Sequence, residues 1–246
     1  MRFRVPILAI DVGNSRIKWS VHDGSSWTAS GALAHGAIAT LATEWANLPD
    51  SCSATGSNVA GLEIAARIET VLAANGIALR WIDSQPTQLG VRNLYDDPAQ
   101  LGSDRWAALI AARWICPGPC LVVTAGTAVT VDALSMEGDF LGGLIMPGLR
   151  LMQEALVRDT YRLGCDHGSH EAFPRNTADA IASGAIEAIV GAVERMLLRL
   201  RDRSDSPVKV IASGGAIGVL RPYLPADVLL MDNLVLQGLL IIAGEG

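Results

Sequence analysis

Lysine is nearly missing from this 246-residue chain: of 19 basic residues only Lys18 and Lys209 are lysines, and the rest are arginines. Charge of either sign is sparse, with charged residues at 18% and a net charge of -6. Such a chain offers no broad basic surface, which excludes nucleic acid or an anionic membrane as its main partner. Cysteine is scarce too, at Cys52, Cys116, Cys120 and Cys165, with no C-x-x-C pair. That excludes a disulfide scaffold and predicts free thiols in a reducing cytoplasm. No apolar run reaches the ~18 residues of a spanning helix. The first apolar stretch ends at Asp11, short of the roughly 7–15 residues of a signal-peptide core, so a soluble cytoplasmic protein is expected. Also absent are a G-x-x-x-x-G-K-[ST] loop, a G-x-S-x-G elbow and a G-x-G-x-x-G following a strand. The P-loop, hydrolase and dinucleotide-binding signatures are thereby excluded.

What is present is apolar. Hydrophobic residues make up 50% of the chain, which rules out intrinsic disorder. The length allows one large domain or two of roughly 100–200 residues, with roughly 70–75% of the unfolded surface buried.

The pattern along the chain repeats. Residues 5–10 read as a buried strand that enters a tight turn at Asp11-Val-Gly-Asn-Ser15. Residues 16–22 then alternate, with Ile17, Trp19 and Val21 on one face and Arg16, Lys18 and Ser20 on the other. This is a hairpin. Further strands are predicted at 26–33, 53–59 and 78–82, and helices at 37–47, 62–75 and 104–115. Ser103 reads as the cap of the last helix, and 86–102 reads as loop. After Pro117-Gly-Pro119 the hairpin recurs in 121–132, with Gly126 lying 113 residues beyond Gly13. Then come strands at 140–147, 208–212 and 228–231, and helices at 149–158, 177–201 and 234–243. Two similar α/β domains are expected, 1–116 and 117–246.

Four clusters can carry chemistry. Asp11-Val-Gly-Asn-Ser-Arg-Ile-Lys18 offers a carboxylate for a metal, a turn whose backbone N–H groups can face an anion, and a cation on the returning strand. Gly126-Thr-Ala-Val-Thr130 offers small residues and hydroxyls at the matching turn of the second half. Ser213-Gly-Gly-Ala216 follows a strand and allows close approach of a ring or phosphate. Taken singly, the first two read better as ordinary tight turns, and the third reads equally well as one. In Gly102-Ser-Asp-Arg105 the arginine gains nothing from the helix dipole, which suits an anionic ligand such as a carboxylate. Asp104 beside it can orient a hydroxyl. Cys165-Asp-His-Gly-Ser-His170 lacks the second ligand pair of a zinc site. Trp106 and Trp114, eight apart on one helix, read as core.

The ordered set resembles one family. Asp11-Val-Gly-Asn-Ser-x-x-Lys18, Gly102-Ser-Asp-Arg105, Gly126-Thr-Ala-Val-Thr130 and Gly142-Gly-Leu-Ile-Met-Pro-Gly148 occur in the order seen in type III pantothenate kinases, also called Bvg accessory factor-like proteins. Asn176-Thr177 and Asn233-Leu-Val-Leu-Gln-Gly238 extend the likeness to the whole chain. The resemblance implies two ribonuclease-H-like domains of the actin-like acetate and sugar kinase superfamily, with a nucleotide cleft between them. It implies ATP-dependent phosphorylation of pantothenate to 4′-phosphopantothenate, the first step of coenzyme A synthesis, by a cytoplasmic homodimer.

Residue by residue, the resemblance implies that Asp11 holds Mg²⁺ through water. The phosphates of ATP would lie along Val12, Gly13, Asn14, Ser15, Arg16, Ile17 and Lys18, with Gly126 and Thr127 opposite and Gly214 and Gly215 near the adenosine. Asp104 would be the catalytic base. Tyr95, Gly102, Ser103, Asp104 and Arg105 would contact pantothenate, and Thr177 would complete the pocket from the neighbouring subunit. One position departs from the pattern. Where the family carries an Asp for K⁺ or NH₄⁺, two residues before Gly126, this chain has Thr124, and a neutral hydroxyl is a poor ligand for a bare cation. The alternatives are a kinase of another hydroxy acid or sugar, or a nucleotide-binding regulator without turnover.

Overall fold

The structure is a computed structural model that describes residues 5–49, 51–159 and 168–245. By compactness the chain groups into two units, Met1–Ile115 with Asn233–Gly246, and Cys116–Asp232.

The first unit contains β1 (Ile7–Val12), β2 (Arg16–His22), β3 (Trp27–Ala34), α1 (Leu41–Glu44), β4 (Ser53–Asn58), α2 (Leu62–Ala74), β5 (Ala78–Trp81), β6 (Thr87–Gln88), β7 (Val91–Asn93) and α3 (Ser103–Ile115). The second contains β8 (Cys120–Ala125), β9 (Ala128–Leu134), β10 (Asp139–Pro147), α4 (Leu149–Asp159), α5 (Thr177–Arg201), β11 (Lys209–Ser213), α6 (Ile217–Leu220) and β12 (Leu229–Leu230). The chain's last helix, α7 (Leu234–Ala243), belongs to the first unit.

The two units share one strand plan. In the first, the strands run β3-β2-β1-β4-β5, with β1 antiparallel to β2 and parallel to β4. In the second they run β10-β9-β8-β11-β12, with β8 antiparallel to β9 and parallel to β11. The central strands are apolar on both faces, as a strand covered by helices must be. Leu8, Ile10 and Val12 pack with Ile38, Leu41, Trp45, Ile68 and Leu72, so the 35–45 segment and α2 cover one face. α7 lies against β1 and β4 and packs on α3, which puts both helices over the other face, where the odd-numbered Ile7, Ala9 and Asp11 project. In the second unit Leu121, Val123 and Ala125 pack against Ile186, Ile189, Val190 and Val193 of α5.

Several sequence expectations need correction. The closing helix joins the first unit instead of the second half, because α7 is apolar around nearly its whole circumference and must be enclosed. It packs so closely on α3 that a Cβ at Gly238 would lie 1.9 Å from the Ala107 carbonyl oxygen. The helix expected at 37–47 is a 3-10 segment, His35–Thr40, followed by the single turn of α1. Neither has a side-chain cap, and their place is set by burial of Ile38, Leu41 and Trp45. The 86–102 stretch carries the short β6–β7 ladder and a 3-10 turn, Pro98–Gln100. Trp106 is fully buried as expected, but Trp114 is 61% exposed. Eight helical residues turn about 80° beyond two full turns, enough to carry Trp114 off the buried face.

Cys52, Cys116 and Cys120 are free thiols. Cys165, Asp166 and His167 lie outside the described residues, while His170 bonds Glu187 at 2.7 Å. Among the described residues no helix is long and apolar enough to cross a membrane.

Candidate active site

Register places three polar residues in a row across the first sheet. Lys18 on β2 and Ser57 on β4 are both partners of Asp11 on β1. Register partners project from the same face, so the row faces α3. Asp11 is a charge at the end of a buried strand. Its Oδ1 is enclosed and has no protein partner. Burial pushes its pKa up to about 7, the nearby Asp104 carboxylate adds to that, and Lys18 opposes it. An enclosed acceptor of this kind, next to a lysine, fits a hydrated divalent cation and the phosphates it accompanies.

The turn after β1 is held from two sides. The Gly13 N–H donates to the Arg16 carbonyl at 3.1 Å, so it closes the turn and is not left for an anion. The Gly13 carbonyl lies 2.8 Å from His35 Nε2. A carbonyl only accepts, so Nε2 carries the hydrogen. Asn14, Ser15 and Arg16 are exposed, whereas Val12 and Ile17 turn into the core. Only the backbone of those last two can meet a phosphate.

The start of α3 brings the second cluster together. The Gly102 carbonyl accepts the first helical bond from Trp106 N–H at 3.0 Å. Ser103 is already helical; its hydroxyl pairs with the Ser57 hydroxyl at 2.9 Å, both residues being buried. The Asp104 carboxylate accepts from the Arg105 N–H at 2.8 Å. Burial raises the Asp104 pKa, while the Arg105 N–H and guanidinium pull it back. Arg105 is only 6% exposed. Its Nη1 donates to Tyr95 Oη at 3.2 Å, and its guanidinium lies 5.8 Å from the centre of the Tyr95 ring. Tyr95 is fixed in turn by buried Asn93, whose Oδ1 accepts the Tyr95 N–H at 3.1 Å. Five of the expected substrate residues, Tyr95, Gly102, Ser103, Asp104 and Arg105, therefore cluster, and Asp104 is close enough to Asp11 to perturb it.

The second unit repeats the row with different chemistry. Thr124 on β8 is partnered by Thr130 on β9 and Ser213 on β11. Here too one polar atom, Thr130 Oγ1, is enclosed without a protein partner. The Gly126–Thr127 turn is tight: Gly126 N–H donates to the Ala128 carbonyl at 2.9 Å, and the Thr127 carbonyl accepts from Gly148 N–H at 2.8 Å. Gly214 has a φ of 106°, and a Cβ there would lie 2.3 Å from the Ala125 carbonyl oxygen. Glycine at 214 is thus required by backbone packing beside the turn. At Gly215 a side chain would meet nothing within 4 Å. Thr177 is exposed at the start of α5, where Asn176 accepts the Asp179 N–H at 2.9 Å.

Sequence reasoning missed Ser57, His35 and Asn93. Ser57 and His35 act through partners far along the chain, while Asn93 holds the Tyr95 N–H two residues on. Only for Ser57 was a signal available: a polar residue in the strand that pairs beside β1.

Comparison with known proteins gives a consistent result. The family model for type III pantothenate kinase matches residues 7–199. A type III pantothenate kinase of Nitrosospira multiformis is 49% identical over 97% of this chain and 91% of its own length. One of Aromatoleum aromaticum is 47% identical over 97% and 98%. Among solved structures, a Campylobacter jejuni protein described as a Baf family transcriptional activator aligns with a TM-score of 0.62 at 22% identity, covering 97% of this chain and 98% of its own. A Sinorhizobium meliloti protein described as a 2-dehydro-3-deoxygalactonokinase aligns at 0.64 and 15% identity over 97% and 98%. An archaeal actin homologue aligns at 0.52 and 10% over 98% and 99%. At these identities the structures establish a shared fold alone, the actin-like one.

Proposed function

The chain belongs to the type III pantothenate kinase family, and from that premise we propose how its residues divide the work. It catalyses the ATP-dependent phosphorylation of pantothenate in coenzyme A biosynthesis. The product is 4′-phosphopantothenate. A cytoplasmic homodimer in which Thr177 reaches the partner's pocket belongs to the same reading.

Asp104 accepts a hydrogen bond from the substrate hydroxyl and aims its oxygen at the γ-phosphorus. An alcohol is a far weaker acid than a carboxylic acid, so the proton moves late, and the main contribution is orientation. The raised pKa of Asp104 makes it a better acceptor when that proton arrives. Arg105, steadied by Tyr95, takes the substrate carboxylate. Lys18 and the Gly13–Arg16 turn meet the ATP phosphates, as do Gly126 and Thr127; Gly214 and Gly215 lie near the adenosine. Asp11 is the residue suited to hold Mg²⁺ through water. When bound, that ion neutralises phosphate charge in a loose transition state. Thr124 and its register partners Thr130 and Ser213 offer only hydroxyls where the family pattern has a carboxylate, so no monovalent cation held by residue 124 is expected.

The observation that carries this assignment is the enclosed, unpartnered Oδ1 of Asp11 beside Lys18 and within electrostatic reach of Asp104. A coupled ADP-release assay tests it. ADP release from MgATP should require pantothenate. Release driven equally by other hydroxy acids or sugars would overturn the substrate. Nucleotide binding with no turnover would point to a regulator.

A further inference from the structure

The buried contact between Ser57 and Ser103 is given no part in the division of work above. Ser57 is 0% exposed and Ser103 is 8% exposed, and their hydroxyls meet at 2.9 Å between β4 and the first residue of α3. Packing alone does not call for this pair. Alanine at both places would fill nearly the same space and leave no polar atom to satisfy. Gly56 precedes Ser57 in β4, and Trp106, Ala107 and Leu109 of α3 are buried. Two hydroxyls in such a junction supply what methyl groups cannot, a directional link.

The link falls between the two carboxylates. Ser57 is the register partner of Asp11, and Ser103 immediately precedes Asp104. Apolar packing fixes how deep α3 lies but resists rotation of its first turn only weakly. A hydrogen bond from the sheet to the first helical residue fixes that rotation, and with it the direction of the next side chain. The first turn needs such help, because a Cβ at Gly102 would lie 2.7 Å from Asp104 Oδ1; the carboxylate folds back over its own entry loop. We propose that Ser57 is a positioning residue: through Ser103 it ties the seat of Asp104 to the strand that carries Asp11. The inference rests on the reading of Asp104 as the group that orients the substrate hydroxyl.

The test measures pantothenate-dependent ADP release in Ser57→Ala, Asp104→Asn and the double variant, together with MgATP affinity. Ser57→Ala should lower kcat by about tenfold or more, the scale of a small misplacement of a reacting group, with MgATP affinity unchanged. In the Asp104→Asn background the same substitution should change residual turnover less than about twofold, since residues acting as a unit are not additive. Ser57→Thr, which keeps the hydroxyl, should recover most of the loss. An equal fold-loss in both backgrounds, or wild-type kcat in Ser57→Ala, overturns the proposal. If Ser57→Ala does not fold, Ser57→Gly breaks the same bond from the strand side and is read by the same criteria. The two readings separate cleanly. A wild-type protein without pantothenate-dependent turnover removes the kinase assignment and this inference with it. An active wild type whose Asp104→Asn variant keeps full turnover removes the role of Asp104 and the Ser57 proposal. An active wild type that Asp104→Asn disables, with Ser57→Ala as active as wild type, removes only the Ser57 proposal.

Discussion

Thr124 stands on β8 where Asp11 stands on β1: each lies two residues before the glycine of its hairpin, with a register partner on either side. The duplicated plan therefore extends from strand order to single positions. Lys18, Asp11 and Ser57 form one row; Thr130, Thr124 and Ser213 form its counterpart. The first row is charged and the second is made of hydroxyls. One strand plan has been used twice, with the charged row kept in one copy.

That asymmetry sets the first prediction. The two register partners of Thr124 are hydroxyls and not carboxylates, and among the described residues no group of three or more His, Cys, Asp or Glu side chains could hold a metal. Adding K⁺ to a K⁺-free assay should change turnover less than about twofold. Thr124→Asp, which supplies the missing charge next to the enclosed Thr130 hydroxyl, should make turnover K⁺-dependent. Strong K⁺ activation of the unaltered protein would show that other groups suffice.

Asp104 gives the second. Asn keeps the size and one acceptor oxygen but removes the proton-accepting charge. Turnover of Asp104→Asn should fall by roughly 10²–10⁴-fold, the range of general acid–base contributions, while MgATP affinity measured by calorimetry holds. Near-normal turnover would leave substrate orientation to some other group.

Much of this arrangement was legible before any coordinates. The hairpins, the α3 start and α5 follow from local signals: apolar runs, turn glycines, an Asn cap. What was hidden depends on distant pairing. Nothing near Ser57 announces that β4 lies beside β1, and His35 reaches the Gly13 carbonyl from 22 positions away. The placement of α7 in the first unit was hidden for the same reason, since an apolar helix shows that it is enclosed but not by what. Turn composition shows that N–H donors exist, not where they are spent: the Gly13 N–H goes to the Arg16 carbonyl.

Lys18 provides a third prediction. In a chain with two lysines, one sits beside an enclosed carboxylate oxygen on the face of α3. Removing it should weaken handling of the phosphates: Lys18→Ala should raise the KM for ATP by about tenfold or more, the worth of one charge-assisted hydrogen bond, with a smaller effect on the KM for pantothenate. ATP kinetics equal to wild type would take Lys18 out of the site.

The raised pKa of Asp11 gives the last, and its sign can be worked through. In the unfolded chain the carboxyl titrates near 3.8, and in the folded protein near 7. Between those values the folded state holds a proton that the unfolded state has released. Stability therefore falls as pH rises through this window, because the native state binds more protons there than the unfolded one. Below the window both forms are protonated and the group is neutral to stability. Above it the buried charge weighs fully against folding, by on the order of a few kcal/mol. The measurement is the pH dependence of urea unfolding from pH 4 to 8, without nucleotide or metal, for wild type and Asp11→Asn. Asp104 is shifted in the same direction, so the difference between the two proteins reports Asp11 together with its coupling to Asp104. The Asn variant should match wild type near pH 4 and be the more stable of the two at pH 8, although catalytically impaired. Equal stability at both ends would mean that the Asp11 carboxylate is well solvated in the folded protein, and the case for Asp11 as a poised cation ligand would fail with it.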